Sequence, residues 1–517
     1  MTGRRGRRAA ASLALAGLAV LAACSSSPTT PETGTSGADR VTAGSVGTPA
    51  GSTPRAPDAR GAAVAQPTVT GPLTGGQRGA PFNAMPADLR ERAGYVEEEY
   101  LVSGTATAYR EAGPWGTDGA WSVEPTTGAP YTTRILVRRP SDPAAADGTV
   151  LVEWLNVTSG LDSDVEFAQA HDELLSHGTT WVGVSAQAMG VQGGGAVIPF
   201  PGLEPTPLKV WDPTRYGSLV HPGDDHSYDI FSQVAAALRR PGDVDPLGGV
   251  PVTRLLAAGE SQSAARMVTY VNAVHPVARI YDGFLVHSRS TGGSVLHTDP
   301  APQPPFARIR GDLEVPVLQL ETEGDILGLP FLAARQPDTD RLRTWEVAGT
   351  SHLDRALFEY FAAGAPAGSP SPLEPLTAAC GEINDGPQAA VVATAVEALR
   401  TWVVDGVAPA AGAPLRVEGD RIVRDEHGNA LGGIRTPPVD APVAALRGDN
   451  AAGGYVCGLL GSTVPFDAAT LAALYPDHET YVRRVTASAE AAVAAGHLRR
   501  VDADRFVADA ERSTIGR

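Results

Sequence analysis

The chain has 517 residues, which suits one large domain with extensions or two domains. Apolar residues make up 43% of the chain, enough to form a substantial core, and aromatic residues only 6%. The core is therefore expected to consist mostly of Ala, Val and Leu. The net charge of −17 opposes contact with phosphate backbones, so no nucleic-acid partner is expected.

The N-terminus has the pattern of an export signal. Four arginines between residues 4 and 8 precede the apolar run "AAASLALAGLAVLAA", which is short for a membrane span. The run ends at Cys24, an arrangement that resembles the lipobox of bacterial lipoproteins. It predicts a signal peptide over residues 1–23, lipidation of Cys24, and export to the outer face of the cell membrane, where the lipid anchors the protein. The alternative is an ordinary secretory signal with a chance cysteine.

Residues 24–80 are rich in Ser, Thr, Pro, Gly and Ala, and they show little periodicity. Such a segment buries too little apolar surface to offset the entropy lost on ordering, so it is predicted to be a disordered tether. Cys380 and Cys457 are the other cysteines, and in an oxidising compartment they are expected to form one disulfide. Two unrelated buried thiols are the alternative.

Residues 81–517 are predicted to form one α/β domain, with a core over 90–360 and a C-terminal extension over 361–517. Alternating residues predict antiparallel strands over Tyr95–Tyr109 and Tyr131–Pro140. Short apolar runs separated by helical patterns then predict a mostly parallel, doubly wound sheet. These runs are Gly148–Val157, Thr179–Gln187, Thr253–Gly259, Ala278–Ser288, Val315–Glu323 and Leu342–Gly349. Pro- and Gly-rich loops at 190–222 and 290–310 are expected to be ordered covering loops that form walls of the substrate pocket.

The stretch "GESQS" from Gly259 to Ser263 lies between an apolar strand and a helix. That is the setting of a nucleophile elbow, usually G-x-S-x-G, in which a tight turn exposes the serine hydroxyl. Ser261 is the predicted nucleophile, and the backbone N–H of Gln262 is a predicted oxyanion donor. The simpler alternative is that one of the two serines caps the helix.

A serine nucleophile needs a base and a group that orients the base. His352 in "GTSHLD" follows a predicted strand and is the expected base. Asp325 and Glu323 both lie at the end of "VPVLQLETEGD", and either could orient the imidazole, with Asp325 favoured. The chain order of serine, acid and histidine is that of α/β-hydrolases.

The second oxyanion donor is expected in the loop after "VLVEWLNV", where Asn156 and Val157 stand. No metal ion or cofactor is expected, because the histidines are scattered and no zinc-protease or CxxC spacing occurs.

Several longer stretches resemble the bacterial alpha/beta hydrolase domain-containing protein family. They include "VLVEWLNVTSGLD", "DPTRYGSLVHPGDDHSYDIFSQVAAALR", "AAGESQSA", "WEVAGTSHLD", "GNALGGIRTPPVDAPVA" and "CGLLGSTVPFDAATLAALYPDHETYV". The resemblance covers the chain from about residue 90 to the C-terminus. It implies an α/β-hydrolase fold and a serine nucleophile at Ser261, but it does not imply a substrate.

Together these features predict a serine hydrolase that acts on a small-molecule carboxylic ester through an acyl-enzyme. Acyl transfer to an alcohol by the same residues is one alternative. A catalytically inactive binding lipoprotein that kept the fold is the other.

Overall fold

The structure is a computed structural model, and it describes residues 60–365, 369 and 371–517. The predicted signal peptide, the lipidation site Cys24 and residues 25–59 of the predicted tether lie outside the described residues. Those features therefore stay predictions. Among the described helices, none is both long enough and apolar enough to cross a membrane.

The described residues form thirteen strands and seventeen α-helices, numbered here in chain order. The strands are β1 (Thr68–Thr70), β2 (Tyr95–Glu111), β3 (Val123–Pro140), β4 (Thr149–Trp154), β5 (Thr180–Val184), β6 (Arg254–Glu260), β7 (Gly283–His287), β8 (Val317–Thr322), β9 (Leu342–Val347), β10 (Val417–Glu418), β11 (Arg421–Ile422), β12 (Ala444–Arg447) and β13 (Ser462–Pro465). The helices are α1 (Ala87–Ala93), α2 (Val165–Ser176), α3 (Ala188–Gln192), α4 (Leu208–Trp211), α5 (Pro213–Tyr216), α6 (Ser227–Arg239), α7 (Gln262–Thr269), α8 (His275–Ala278), α9 (Glu323–Gly328), α10 (Arg355–Gly364), α11 (Leu373–Cys380), α12 (Gln388–Asp405), α13 (Pro437–Asp440), α14 (Tyr455–Leu460), α15 (Ala468–Leu474), α16 (His478–Ala494) and α17 (Arg500–Arg512).

Nine strands form the main sheet in the order β1-β2-β3-β5-β4-β6-β7-β8-β9. Strands β1, β2, β3 and β5 pair antiparallel, whereas β5, β4, β6, β7, β8 and β9 pair parallel. The prediction of a mostly parallel α/β sheet is therefore confirmed, and each of the eight predicted strands corresponds to one of β2 to β9. Several boundaries differ from the prediction. Strand β3 begins at Val123, before the predicted Tyr131, and Ala278 ends helix α8, so that β7 begins only at Gly283.

Helices cover both faces of this sheet because successive residues of a strand point to opposite faces. In β4, Val150, Val152 and Trp154 belong to the apolar cluster that includes helices α6 and α7. Leu151, between them, belongs to the cluster that includes α2 and α12. The central strands are thus buried on both sides, which explains why they appear in the sequence as nearly continuous apolar runs.

Residues 60–80 pack on the domain, so the part of the tether prediction that covers them is wrong. Strand β1 pairs with β2, and Val69 is buried between two exposed threonines. The Gly61 N–H also donates to the Arg279 carbonyl at 2.9 Å. A single buried residue in a three-residue edge strand gives too weak a pattern to stand out in a segment of low complexity.

The C-terminal extension lies partly against the sheet and partly on itself. Helix α12 packs against α2, β7 and β8, and α16 packs against α17. The predicted disulfide between Cys380 and Cys457 is present, with an S–S distance of 2.00 Å. It joins the end of α11 to α14, and both cysteines lie in an apolar cluster that also holds Phe200 and Phe358.

Candidate active site

Ser261 lies in the turn between β6 and α7, with φ 60° and ψ −116°. A positive φ is unfavourable for a residue with a side chain, so the surrounding structure has to hold the turn. One such restraint is the Ser261 N–H, which donates to the His287 carbonyl at 2.9 Å. Gly259 is required by close packing, because a Cβ there would lie 2.8 Å from the Ser263 carbonyl oxygen. The sequence GESQS therefore forms the predicted elbow.

The structure brings together Ser261, His352 and Asp325. The hydroxyl of Ser261 lies 2.7 Å from Nε2 of His352, and Nδ1 of His352 lies 2.7 Å from Oδ1 of Asp325. The three residues follow β6, β9 and β8, and parallel strands bring their carboxyl ends to one edge of the sheet. An ionised carboxylate only accepts hydrogen bonds, so Nδ1–H donates to Asp325 and leaves Nε2 free to accept the serine proton.

Asp325 is fixed by the first turn of α9. Its second carboxylate oxygen, Oδ2, accepts hydrogen bonds from both the backbone N–H and the hydroxyl of Thr322, each at 2.7 Å. This is a capping box, in which Thr322 and Asp325 satisfy the free donors at the start of the helix. The carboxylate is thus held in one orientation toward His352.

Glu323, the other candidate acid, does not contact His352. Its carboxylate accepts the N–H groups of Gly349 at 2.9 Å and Gly448 at 3.1 Å, and it forms an ion pair with Arg424 at 2.7 Å. Glu323 therefore links the loop that precedes the histidine to the C-terminal extension. Of the two predicted acids, the structure places Asp325 at the imidazole and Glu323 in a supporting contact.

Electrostatics favour a basic imidazole at this site. Burial alone would lower the pKa of His352, but the carboxylates of Asp325 and then Glu260 raise that pKa above its ordinary value. Burial alone would raise the pKa of Asp325, but the charge of His352 and its hydrogen bond lower that pKa below its ordinary value. The pair is thus arranged to take up a proton on the histidine while the aspartate stays ionised.

Sequence reasoning missed Glu260, which stands between Gly259 and the serine. Its Oε1 lies 3.3 Å from Nε2 of His352, and its Oε2 accepts a hydrogen bond from Asn156 Nδ2 at 3.1 Å. Burial raises the pKa of Glu260 to about 7, although His352 and His287 oppose the shift. The sequence does show a carboxylate within the elbow pentapeptide. Its spacing from His352 in the chain, however, does not indicate that the two side chains lie close together.

The two predicted oxyanion positions after β4 differ in what they can donate. The backbone N–H of Asn156 donates to the Ser163 carbonyl at 3.0 Å, and its side-chain amide bonds Glu260, so Asn156 is not a free donor. Among the described residues, no acceptor contacts the N–H of Val157. The N–H of Gln262 opens helix α7 and has no partner within that helix. Gln262 and Val157 are therefore the donors that remain available.

A cavity of about 650 Å³ opens onto this site. Ser261, Glu260 and His352 all line it, so the cavity reaches the atoms described above. Its other walls are mostly apolar and include Phe82, Leu161, Phe200, Leu203, Phe358 and Leu459. A pocket of this size and lining, with a few polar groups at one point, is typical of a small-molecule site.

One group of side chains lies close enough together to share a cation among the described residues. It consists of Glu173, His177 and Glu397. Glu173 already pairs with Arg400 at 3.1 Å and with Arg499 at 2.6 Å, so its charge is balanced without a metal ion. The group therefore does not suit a metal centre.

Comparison with known proteins gives remote structural likenesses. No curated protein matches the sequence. Among solved structures, the chain resembles an esterase from Rhizomucor miehei at 11% identity and a TM-score of 0.28, covering 63% of this chain and 94% of that one. A putative dienelactone hydrolase from Klebsiella pneumoniae is 15% identical with a TM-score of 0.24, covering 48% and 85%. Likenesses this remote bear neither on substrate nor on mechanism.

The sequence itself gives a more extensive match. A family described as alpha/beta hydrolase domain matches residues 69–508, which include nearly all of the main sheet, the elbow and most of the C-terminal extension. The observed fold is the one that the sequence resemblance implied, with a mostly parallel sheet between two layers of helices. The chain therefore belongs to the alpha/beta hydrolase domain family.

Proposed function

We propose that the protein is a serine hydrolase that cleaves carboxylic esters through an acyl-enzyme on Ser261. One observation carries the proposal: the unbroken hydrogen-bond chain from Asp325 through His352 to Ser261, with both links at 2.7 Å, at the wall of a cavity. A serine hydroxyl is a weak nucleophile at its own pKa and becomes effective when a neighbouring base takes its proton.

In the first half of the proposed reaction, Oγ of Ser261 attacks the ester carbonyl carbon while Nε2 of His352 accepts the hydroxyl proton. The carbonyl oxygen becomes an oxyanion, for which the N–H groups of Gln262 and Val157 are the proposed donors. The imidazolium then gives its proton to the leaving alkoxide, the carbon–oxygen bond breaks, and the free alcohol departs. Asp325 stabilises the positive histidine throughout, because its carboxylate stays ionised.

In the second half, water takes the place of the alcohol. His352 accepts a proton from the water as it attacks the acyl-enzyme, and returns a proton to Oγ of Ser261 as the acid leaves. Glu260 lies beside the same Nε2 atom, so the ionised form of its carboxyl group favours the imidazolium that forms in each half-reaction.

The test of this proposal is turnover of p-nitrophenyl butyrate by the full chain, with and without added butanol. We expect p-nitrophenol and free butyrate in equal amounts, and only a minor share of butyl butyrate when the alcohol is present. Butyl butyrate as the main product would identify acyl transfer instead. If neither free butyrate nor butyl butyrate forms, and mass spectrometry detects no acyl-enzyme, only the binding-protein alternative remains.

Removing the charge of Glu260 is expected to move the acid limb of the pH profile of kcat/KM to lower pH. The unprotonated histidine is the active base, so kcat/KM rises as the pH passes the pKa of His352. Because the Glu260 carboxylate raises that pKa, Glu260→Gln lowers it and the rise comes earlier. The measurement is kcat/KM from about pH 5 to 9.

Glu382→Gln is the matched control for this pH profile, because Glu382 pairs with Arg355 at the surface and its side chain is 67% exposed. Its profile is expected to overlay that of the wild type. A Glu260→Gln limb that stays in place, or that moves to higher pH, would contradict the assigned influence of Glu260 on His352.

A further inference from the structure

Four parts of the chain build most of the walls of the active-site cavity. Residues 80–84 form one wall, the segment from Asn156 to Val165 a second, the segment from Ile198 to Trp211 a third, and helix α10 with Leu459 a fourth. The predicted covering loop at 290–310 contributes none of the described lining residues. Most of the side chains that these parts present are aliphatic or aromatic. The apolar surface therefore surrounds the space next to Ser261, rather than forming one isolated patch.

The charged groups that line the cavity already have partners. Asp164 is buried and pairs with Arg138 at 2.5 Å, and Glu260 is held by Asn156 beside the histidine. Arg78 is exposed, and its guanidinium stacks 5.0 Å from the ring centre of Trp211 while its Nε donates to the Trp211 carbonyl. A charged group on a substrate would thus lose water and meet no unpaired buried counter-ion among the lining residues.

The wall formed by residues 80–84 is held by buried polar side chains. Arg134 donates to the Phe82 carbonyl at 2.7 Å, and Arg138 donates to the Asn83 carbonyl at 2.5 Å. The Phe82 N–H donates in turn to the hydroxyl of Tyr216 at 3.0 Å. Because both arginines are fully buried and paired with carboxylates, this wall is preformed and does not need a ligand to order it.

We propose that the substrate of this site is an uncharged ester that carries a bulky apolar group, of the size of a medium-length acyl chain. The inference rests on the proposed hydrolase function and extends it to a substrate class. A cavity of about 650 Å³ is in the range that encloses a drug-sized ligand, so an acetyl group would leave most of it unfilled. Each methylene that enters it is expected to raise kcat/KM roughly fourfold until the cavity is full.

The first experiment compares p-nitrophenyl acetate, butyrate and octanoate with the p-nitrophenyl monoester of suberic acid, which has eight carbons and a terminal carboxylate. We expect kcat/KM for the octanoate to exceed that for the acetate by at least about a hundredfold. The monoester is expected to be at least about a hundredfold poorer than the octanoate. A flat or falling series, or a monoester as good as the octanoate, would overturn the proposal.

The failure of this proposal differs from the failure of the proposed function. If acetate is hydrolysed and a fluorophosphonate labels Ser261, but the series shows no gain with chain length, only the substrate class is wrong. If no ester in the series is hydrolysed and the serine is not labelled, the hydrolase function is wrong as well.

A variant that places a charged side chain on the cavity wall provides a second test of the preference for apolar substrates. Leu203 lines the cavity from the segment between Ile198 and Trp211, and Leu203→Lys is expected to lower the ratio of octanoate to acetate kcat/KM at least about tenfold. The same variant is expected to narrow the gap between the octanoate and the suberate monoester. Val501→Lys is the control, because Val501 is 55% exposed on α17 and is not among the cavity-lining residues. Equal ratios in Leu203→Lys and wild type would contradict the inference.

Discussion

Ser261→Ala is expected to lower kcat for ester hydrolysis by at least about a thousandfold. The hydroxyl is the atom that becomes acylated, and His352 has no proton to take from a methyl group. This variant keeps the N–H groups of Gln262 and Val157 and the cavity. We therefore expect it to hydrolyse the ester slowly, but still faster than the uncatalysed reaction in water. The measurement is kcat for p-nitrophenyl butyrate, beside the free energy of unfolding from urea titration.

Folding is expected to change little in Ser261→Ala, because alanine faces the same positive φ as serine at this turn. Ser263→Ala is the matched control in the same pentapeptide. The Ser263 hydroxyl is buried and has no hydrogen-bond partner among the described residues. This control is expected to keep kcat within about tenfold of the wild type. Equal losses in the two variants would indicate damage to the turn, and full activity in Ser261→Ala would exclude the serine as nucleophile.

Removal of the disulfide is expected to lower the free energy of unfolding by about 4 kcal/mol. Cys380 and Cys457 are 77 positions apart, and the bond restricts the unfolded chain over that whole loop. The double variant Cys380→Ser/Cys457→Ser also places two hydroxyls in the apolar cluster around Phe358 and Phe200. The measurement is urea-induced unfolding of the wild type and the double variant.

Reductant provides the control for the disulfide. Dithiothreitol is expected to move the unfolding midpoint of the wild type toward that of the double variant, and to leave the double variant unchanged. A loss of less than about 1 kcal/mol in the double variant would mean that the bond adds little to stability.

The elbow was predictable because its signal is local. Gly259, Ser261 and the adjoining apolar strand lie within a few residues, and the tight turn requires small side chains where the sequence has them. His352 was predictable for a similar reason, since it directly follows a strand whose carboxyl end lies at the same sheet edge.

The choice between Asp325 and Glu323 depended on where one strand ends. The sequence predicted the strand through Glu323, whereas β8 ends at Thr322 and Glu323 begins helix α9. In an α-helix, two residues that are two positions apart are rotated by about 200° around the helix axis. Their side chains therefore point to nearly opposite sides, and only one of the two acids can face His352. A shift of one residue in the boundary therefore decides which acid lies at the imidazole.

Other features of the site depend on contacts between distant segments. Asn156 bonds Glu260 across more than a hundred residues, which removes it from the oxyanion donors and holds the carboxylate beside His352. Residues 60–80 join the domain through contacts with β2 and the loop at Arg279. Neither arrangement leaves a pattern in the local sequence, since each depends on what the completed fold brings nearby.

The most direct test of the account is to locate a covalent adduct by peptide mass spectrometry after the full chain reacts with a fluorophosphonate. A single phosphonyl group is expected on Ser261, with fluoride released, and no adduct is expected on that peptide in Ser261→Ala. An adduct on another residue in the wild type, or the same adduct yield in Ser261→Ala, would contradict the assignment of Ser261 as the nucleophile.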